Sequence, residues 1–146
     1  MSQIAGARIA RILLVEDDPN DAEITKRAFD RAKIGNRLTT VDDGRAALDF
    51  LYRNCISQDD PGADLVILDL GLPKLDGRQV LKEIWTDRRL RHIPVIVLTG
   101  SDREEDLIQS YKGGAVAFLR KPVNVDRLLT AVGDLHGYRL YIARVD

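Results

Sequence analysis

Four stretches of strand length recur along this 146-residue chain at 12–15 (ILLV), 65–68 (LVIL), 94–98 (PVIVL) and 115–119 (AVAFL), each without a charged residue. A run this short and this apolar reads as a strand buried on both faces, which is the signature of a parallel sheet. A fifth stretch, 37–41 (RLTTV), is half polar and reads as an edge strand. Between the strands lie segments with helical spacing. Asp18 is placed as an N-cap with Pro19 at N1, Asp21 and Glu23 follow in the first turn, and Ile24, Ala28, Phe29 and Ala32 form the inner stripe up to a stop near Gly35. Asp42-Asp43-Gly44 caps a helix carrying Ala46, Ala47, Phe50 and Leu51, and the Asp76-Gly77 turn leads into one through Val80, Leu81, Ile84 and Trp85. Residues 102–112 form a charged helix with a thin stripe of Leu107, Ile108 and Tyr111. Asn124 caps a last helix with Val125, Leu128, Leu129, Val132 and Leu135 on one face. Strand and helix alternate five times, which predicts an α/β fold with a doubly wound parallel five-stranded sheet.

Length and composition narrow the class. The size suits one domain with a real core. A net charge of −1 leaves no electrostatic footprint for nucleic acid. The basic stretch 87–92 (DRRLRH) is short and reads as a solvated loop, as does the polar stretch 54–63 (NCISQDDPGA). No apolar run reaches membrane-spanning length, and the first ten residues lack the apolar region of a signal peptide. The one cysteine, Cys55, has no partner for an internal disulfide and no motif that would activate its thiol, so the expected compartment is the cytoplasm.

In an open α/β sheet, ligands bind outside the carboxyl ends of the strands. Here the first, third, fourth and fifth strands end in Glu16/Asp17, Asp69, Thr99 and Lys121. Consecutive acids repel one another, and a strand end does not need them. Together they suit a hard divalent cation such as Mg2+. A carboxylate beside such a cation is a competent nucleophile toward a phosphoryl group, with an ammonium and a hydroxyl to receive the transferring oxygens. The same acids exclude a flavin-phosphate site, which needs an amide-donating Gly/Ser/Thr-rich loop after the first strand.

At this point the chain resembles the receiver domain of two-component response regulators. The motifs that carry the resemblance are Val15-Glu16-Asp17-Asp18-Pro19, then Leu68-Asp69-Leu70 continuing through Leu72-Pro73 to Asp76-Gly77, then Leu98-Thr99-Gly100, and finally Lys121-Pro122. They stand in the family's order, Thr99 lying 30 residues past Asp69 and Lys121 a further 22. The resemblance covers about residues 9–136, within one receiver domain of 1–146 with a tail at 137–146.

It implies a flavodoxin-like fold with strand order 2-1-3-4-5. It also implies phosphorylation of Asp69 by a histidine kinase and Mg2+ held by Glu16, Asp17, Asp69 and the Gly71 carbonyl. Thr99 and Lys121 would bind the phosphoryl group. Phe118 falls on the switch-aromatic position, where Tyr is more frequent. Movement of Thr99 and Phe118 would remodel the face made by the helix at 102–112, the fifth strand and the last helix. The dozen or so residues after that helix are too few for a DNA-binding domain. Output is therefore expected through partner binding, dimerisation or onward phosphotransfer rather than through an enzymatic activity of its own.

Pro19-Asn20-Asp21, the long loop before the third strand and the tyrosine-rich tail resemble a narrower group, the single-domain regulators paired with bacteriophytochrome-type kinases. In that group the same face and the tail often form a homodimer, to which Tyr138, Leu140, Tyr141 and Ile142 would contribute here. Two other readings remain open at this level: an interaction module that keeps the fold without being phosphorylated, and a metal-dependent phosphohydrolase. Gly71 stands two residues after Asp69, where such a hydrolase needs its second acid, which weighs against the latter.

Overall fold

Leu65, Val66, Ile67 and Leu68 are fully inaccessible to solvent, and everything else in the fold is arranged to cover them on both sides. A computed structural model describes residues 10–32, 36–57, 60–70, 76–100 and 116–133. Within them run β1 (Ala10–Val15), α1 (Pro19–Arg31), β2 (Asn36–Val41), α2 (Gly44–Asn54), β3 (Leu65–Asp69), α3 (Gly77–Thr86), β4 (Val95–Thr99), β5 (Val116–Arg120) and α4 (Val125–Gly133). The strands form one sheet in the order β2-β1-β3-β4-β5, and every neighbouring pair is parallel. This is the doubly wound arrangement expected from the alternation of strands and helices. The helix expected at 102–112, the tail beyond 133 and Gly71 lie outside the described residues.

Successive residues of a strand point to opposite faces, and the apolar runs serve both. Leu13, Val15, Val66, Leu68, Val95 and Val97 pack with α2 and α3 through Leu48, Leu51, Leu81 and Ile84. Ile12, Leu14, Leu65, Ile67, Ile96 and Leu98 pack on the other face with Ala28 and Phe29 of α1 and Leu128 of α4. Among the described residues β2 pairs with β1 alone, and it is the half-polar edge strand.

Side-chain caps set the helix starts next to the strand tips. The Asp18 carboxylate accepts from the backbone N–H of Asn20 at 2.8 Å, and that of Asp43 from Ala46 N–H at 2.8 Å. Asp76 and Gln79 form a reciprocal capping box at the start of α3. Asn124 Oδ1 accepts from Arg127 N–H at 2.8 Å.

Three expectations are corrected. Ile24 was placed on the inner stripe of α1 but is 41% exposed, while Thr25 is buried. The stripe that meets the sheet is 25, 28, 29 and 32, and it turns Ile24 outward. The stretch 87–92 is not wholly solvated, because Leu90 is completely buried among core residues. The stretch 54–63 is anchored at its end, with Ala63 buried. Beside it the Asp64 carboxylate accepts from Arg11 N–H at 2.7 Å, and the Arg11 guanidinium pairs with Asp60 at 2.9 Å.

Gly77 fixes the distance between α3 and the tip of β3. A Cβ at this position would lie 2.6 Å from the Asp69 carbonyl oxygen and 2.8 Å from Leu70 Cα, both backbone atoms that cannot rotate away. Gly77→Ala is expected to cost about 1–3 kcal/mol as an overpacked contact. The check is the urea midpoint; an unchanged midpoint would mean that the start of α3 shifts without penalty.

Candidate functional site at the carboxyl edge of the sheet

β1 delivers Glu16 and Asp17 one and two residues past its last apolar side chain. Glu16 stays tied to the sheet, its N–H donating to the Val41 carbonyl at 3.0 Å. Its side chain is fully buried, whereas Asp17 is open to solvent. Asp69 is the last residue of β3, with its side chain 13% exposed. Glu16, Asp17 and Asp69 each offer a carboxylate oxygen within 4.8 Å of the others. Lys121 follows β5 directly, and its N–H donates to the Thr99 carbonyl at 2.9 Å. From there the ammonium reaches Glu16 Oε1 at 2.8 Å, Asp21 Oδ2 at 3.1 Å and Asp69 Oδ2 at 3.2 Å.

The electrostatics follow from this crowding. Burial pushes the Glu16 carboxyl up from 4.5 to about 7, and Asp69 adds to the rise while Lys121 partly opposes it. Burial alone would lower Lys121, but contacts with Glu16 and Asp21 and the field of Asp69 outweigh it, so the ammonium is held above its ordinary range. Among the described residues the Lys121 ammonium pairs with three carboxylates, Glu16, Asp21 and Asp69, and Asp17 adds a fourth negative charge to the cluster. A donor set of hard oxygens with surplus negative charge and an open side at Asp17 fits a divalent cation of the Mg2+ or Mn2+ kind. Glu16, Asp17 and Asp69 are the residues that could hold it.

Of the residues singled out in the sequence, Glu16, Asp17, Asp69 and Lys121 are brought together. Thr99 stands at the tip of β4, wholly buried, and its hydroxyl has no hydrogen-bond partner among the described residues. Its backbone carbonyl links it to the cluster by accepting from Lys121 N–H. Phe118 is half-buried against the core on the α2–α3 side. Sequence reasoning missed Asp21 as a partner of Lys121, treating it as a first-turn acid of α1. The available signal was positional: a helix that starts at the tip of β1 keeps its first turn at the same sheet edge.

Among the described residues the Thr99 hydroxyl makes no hydrogen bond. Thr99→Val is therefore expected to leave stability unchanged or raise it by up to about 1 kcal/mol, since it relieves a buried unpaired hydroxyl. Thermal unfolding checks this; a clear loss would mean that the hydroxyl has a partner in solution.

Comparison with known proteins agrees with the geometry. Residues 12–133 match the response regulator receiver domain. Response regulator Rcp1 of Synechocystis is 38% identical over 88% of this chain and 88% of its own length. The structure of its Mn2+-bound form superposes with a TM-score of 0.67 at 36% identity, covering 94% of this chain and 99% of that one. The bacteriophytochrome response regulator AtBRR is 38% identical with a TM-score of 0.81, over 95% of this chain and 99% of its own. The phosphorylated cyanobacterial phytochrome response regulator RcpA is 35% identical with a TM-score of 0.68, over 86% and 89% of the two chains. With the sheet order, the acidic cluster and these relatives in agreement, the chain belongs to the response regulator receiver domain family.

Proposed function

We propose that this protein is a phosphoacceptor of a two-component pathway, taking a phosphoryl group from a phosphohistidine of a histidine kinase onto Asp69. The observation that carries the reading is the convergence on Asp69 of the Lys121 ammonium, at 3.2 Å, and of the Glu16 and Asp17 carboxylates. An Asp69 oxygen attacks phosphorus and the bond from phosphorus to the histidine nitrogen breaks. The leaving ring nitrogen takes up one proton from solvent, so the products are an acyl phosphate and a neutral imidazole. Lys121 receives one phosphoryl oxygen, and Thr99 turns its unpaired hydroxyl to another. Glu16, Asp17, Asp69 and the Gly71 carbonyl would hold a divalent cation, which supplies charge neutralisation without which the acids would repel the incoming phosphate. The bound Mn2+ of the similar Rcp1 and the phosphorylated state of the similar RcpA support both halves of this scheme.

The likeness to AtBRR supports a kinase of the bacteriophytochrome type, and a cytoplasmic location is part of the same proposal. Among the described residues no helix is long and apolar enough to cross a membrane. Phosphorylation would draw Thr99 toward the phosphoryl group and Phe118 inward. That change would alter the face of β5 and α4 for a second copy of the chain or for a downstream partner. The protein thus works as one receiver domain and a switch rather than as a turnover enzyme.

The test is intact mass after incubation with Mg2+ and a small phosphodonor such as acetyl phosphate. One added phosphoryl group is expected, and none in the presence of chelator. No adduct, or an adduct indifferent to chelator, overturns the mechanism and leaves a phosphorylation-independent interaction module.

A further inference from the structure

Lys121 and a divalent cation want the same oxygens. The ammonium lies within 3.2 Å of Glu16 and Asp69, two of the three carboxylates whose oxygens converge within 4.8 Å. A cation entering that cluster displaces the ammonium from those oxygens and repels it. The third carboxylate on Lys121, Asp21 at 3.1 Å, is outside the cluster. It is also the most exposed of the three, its side chain 36% accessible against 0% for Glu16 and 13% for Asp69. A lysine offers three N–H donors on a flexible stem. Here the stem's root is fixed by the backbone bond to Thr99, so the ammonium can pivot outward without leaving the site.

We propose that Asp21 is a positioning residue that acts through Lys121. It gives the ammonium a partner on the solvent side, so that Glu16 and Asp69 can take a divalent cation while Lys121 stays within the site. The inference rests on the metal-binding reading above. Two features hold Asp21 in place for this role. The N-cap Asp18 and Pro19 set the register of α1, and Thr25, one turn further along, is buried beneath it. The contact joins residues 100 positions apart in the chain, so it ties α1 to the tip of β5. The plainer account is that Asp21 is a first-turn acid favoured by the helix dipole. In that case its charge would act on a bound cation directly, with or without Lys121.

A double-mutant cycle separates the two. Mg2+ affinity is measured by isothermal titration at pH 8 for wild type, Asp21→Asn, Lys121→Met and the double variant, with folding verified by circular dichroism. Asp21→Asn is expected to weaken Mg2+ binding about fivefold, the scale of one partly exposed ion pair, and Asp21→Glu to restore most of it. Lys121→Met is expected to bind Mg2+ more tightly than wild type and to abolish the effect of Asp21→Asn. An equal effect of Asp21→Asn in both backgrounds, or none in wild type, overturns the proposal. If Lys121→Met fails to fold, Lys121→Gln supplies the second background. A wild type that binds no Mg2+ overturns the metal reading itself, an outcome distinct from a failed cycle.

Discussion

Asp69→Asn is expected to abolish the phosphoryl adduct completely while leaving the metal-free protein at least as stable as wild type. The two outcomes have one cause. The Asp69 oxygen that would attack phosphorus belongs to a carboxylate at the tip of the fully buried strand β3, only 13% exposed and 3.2 Å from Lys121. An amide has nearly the same shape but is not a nucleophile, so transfer should stop rather than slow. The substitution also removes one of the negative charges crowded around Glu16, and Asp69 is one of the groups that push the Glu16 carboxyl upward. Lys121 keeps Glu16 at 2.8 Å and Asp21 at 3.1 Å, so no buried ammonium is stranded. Mg2+ affinity should fall by more than the ~10–100-fold that loss of an outer-shell partner costs, since a direct ligand is lost. Intact mass, thermal unfolding in chelator and Mg2+ titration read the three effects separately. A residual adduct on Asp69→Asn would place the acceptor elsewhere. A strong loss of stability would mean that the Asp69 charge holds the edge of the sheet together.

Most of this site is legible in the sequence, for a physical reason. A parallel sheet buried on both faces needs apolar runs with almost no polar interruption. The polar residue that ends each run is therefore conspicuous, and all such ends lie at one edge. Glu16, Asp17, Asp69 and Lys121 were found in this way, and the structure brings them together. Helical contacts were read less well, because helical spacing fixes a stripe only to within a neighbouring position. Ile24 and Thr25 compete for the same inward place. Hydrophobicity favours Ile24, but the axis of α1 on the sheet selects Thr25. Leu90 was hidden by the four basic or potentially basic residues around it, since charge density says nothing about the one apolar side chain that turns inward. Contacts distant in sequence, such as Arg11 with Asp64 or Asp21 with Lys121, leave no local pattern. They follow from the strand order and become visible only when the sheet is assembled.

The cluster that makes the site also works against the fold, and Glu16→Gln should show by how much. In the metal-free protein the Glu16 carboxyl titrates near 7 rather than at its ordinary 4.5, chiefly because it is buried. Between these values the folded chain binds more protons at this position than the unfolded chain, so stability falls as pH rises through the window and the penalty is complete above pH 7. A shift of this size corresponds to roughly 3 kcal/mol, an upper scale because neighbouring charges relax. Gln avoids the buried charge. Glu16→Gln should therefore stabilise the metal-free protein by about 1–3 kcal/mol at pH 8 and by little at pH 5, where Glu16 in the folded state is already protonated. Urea unfolding in chelator at the two pH values measures the difference. A Gln variant less stable than wild type at pH 8 would mean that the ion pair with Lys121, at 2.8 Å, outweighs burial. With Mg2+ present the order should reverse. The cation then neutralises the cluster in the wild type and adds its binding free energy to folding, whereas the variant has lost one of its ligands. A chain selected for stability alone would not keep Glu16 ionisable at the tip of β1. On the proposed metal-binding role of Glu16, its presence there is explained by what the wild type gains when the cation is bound.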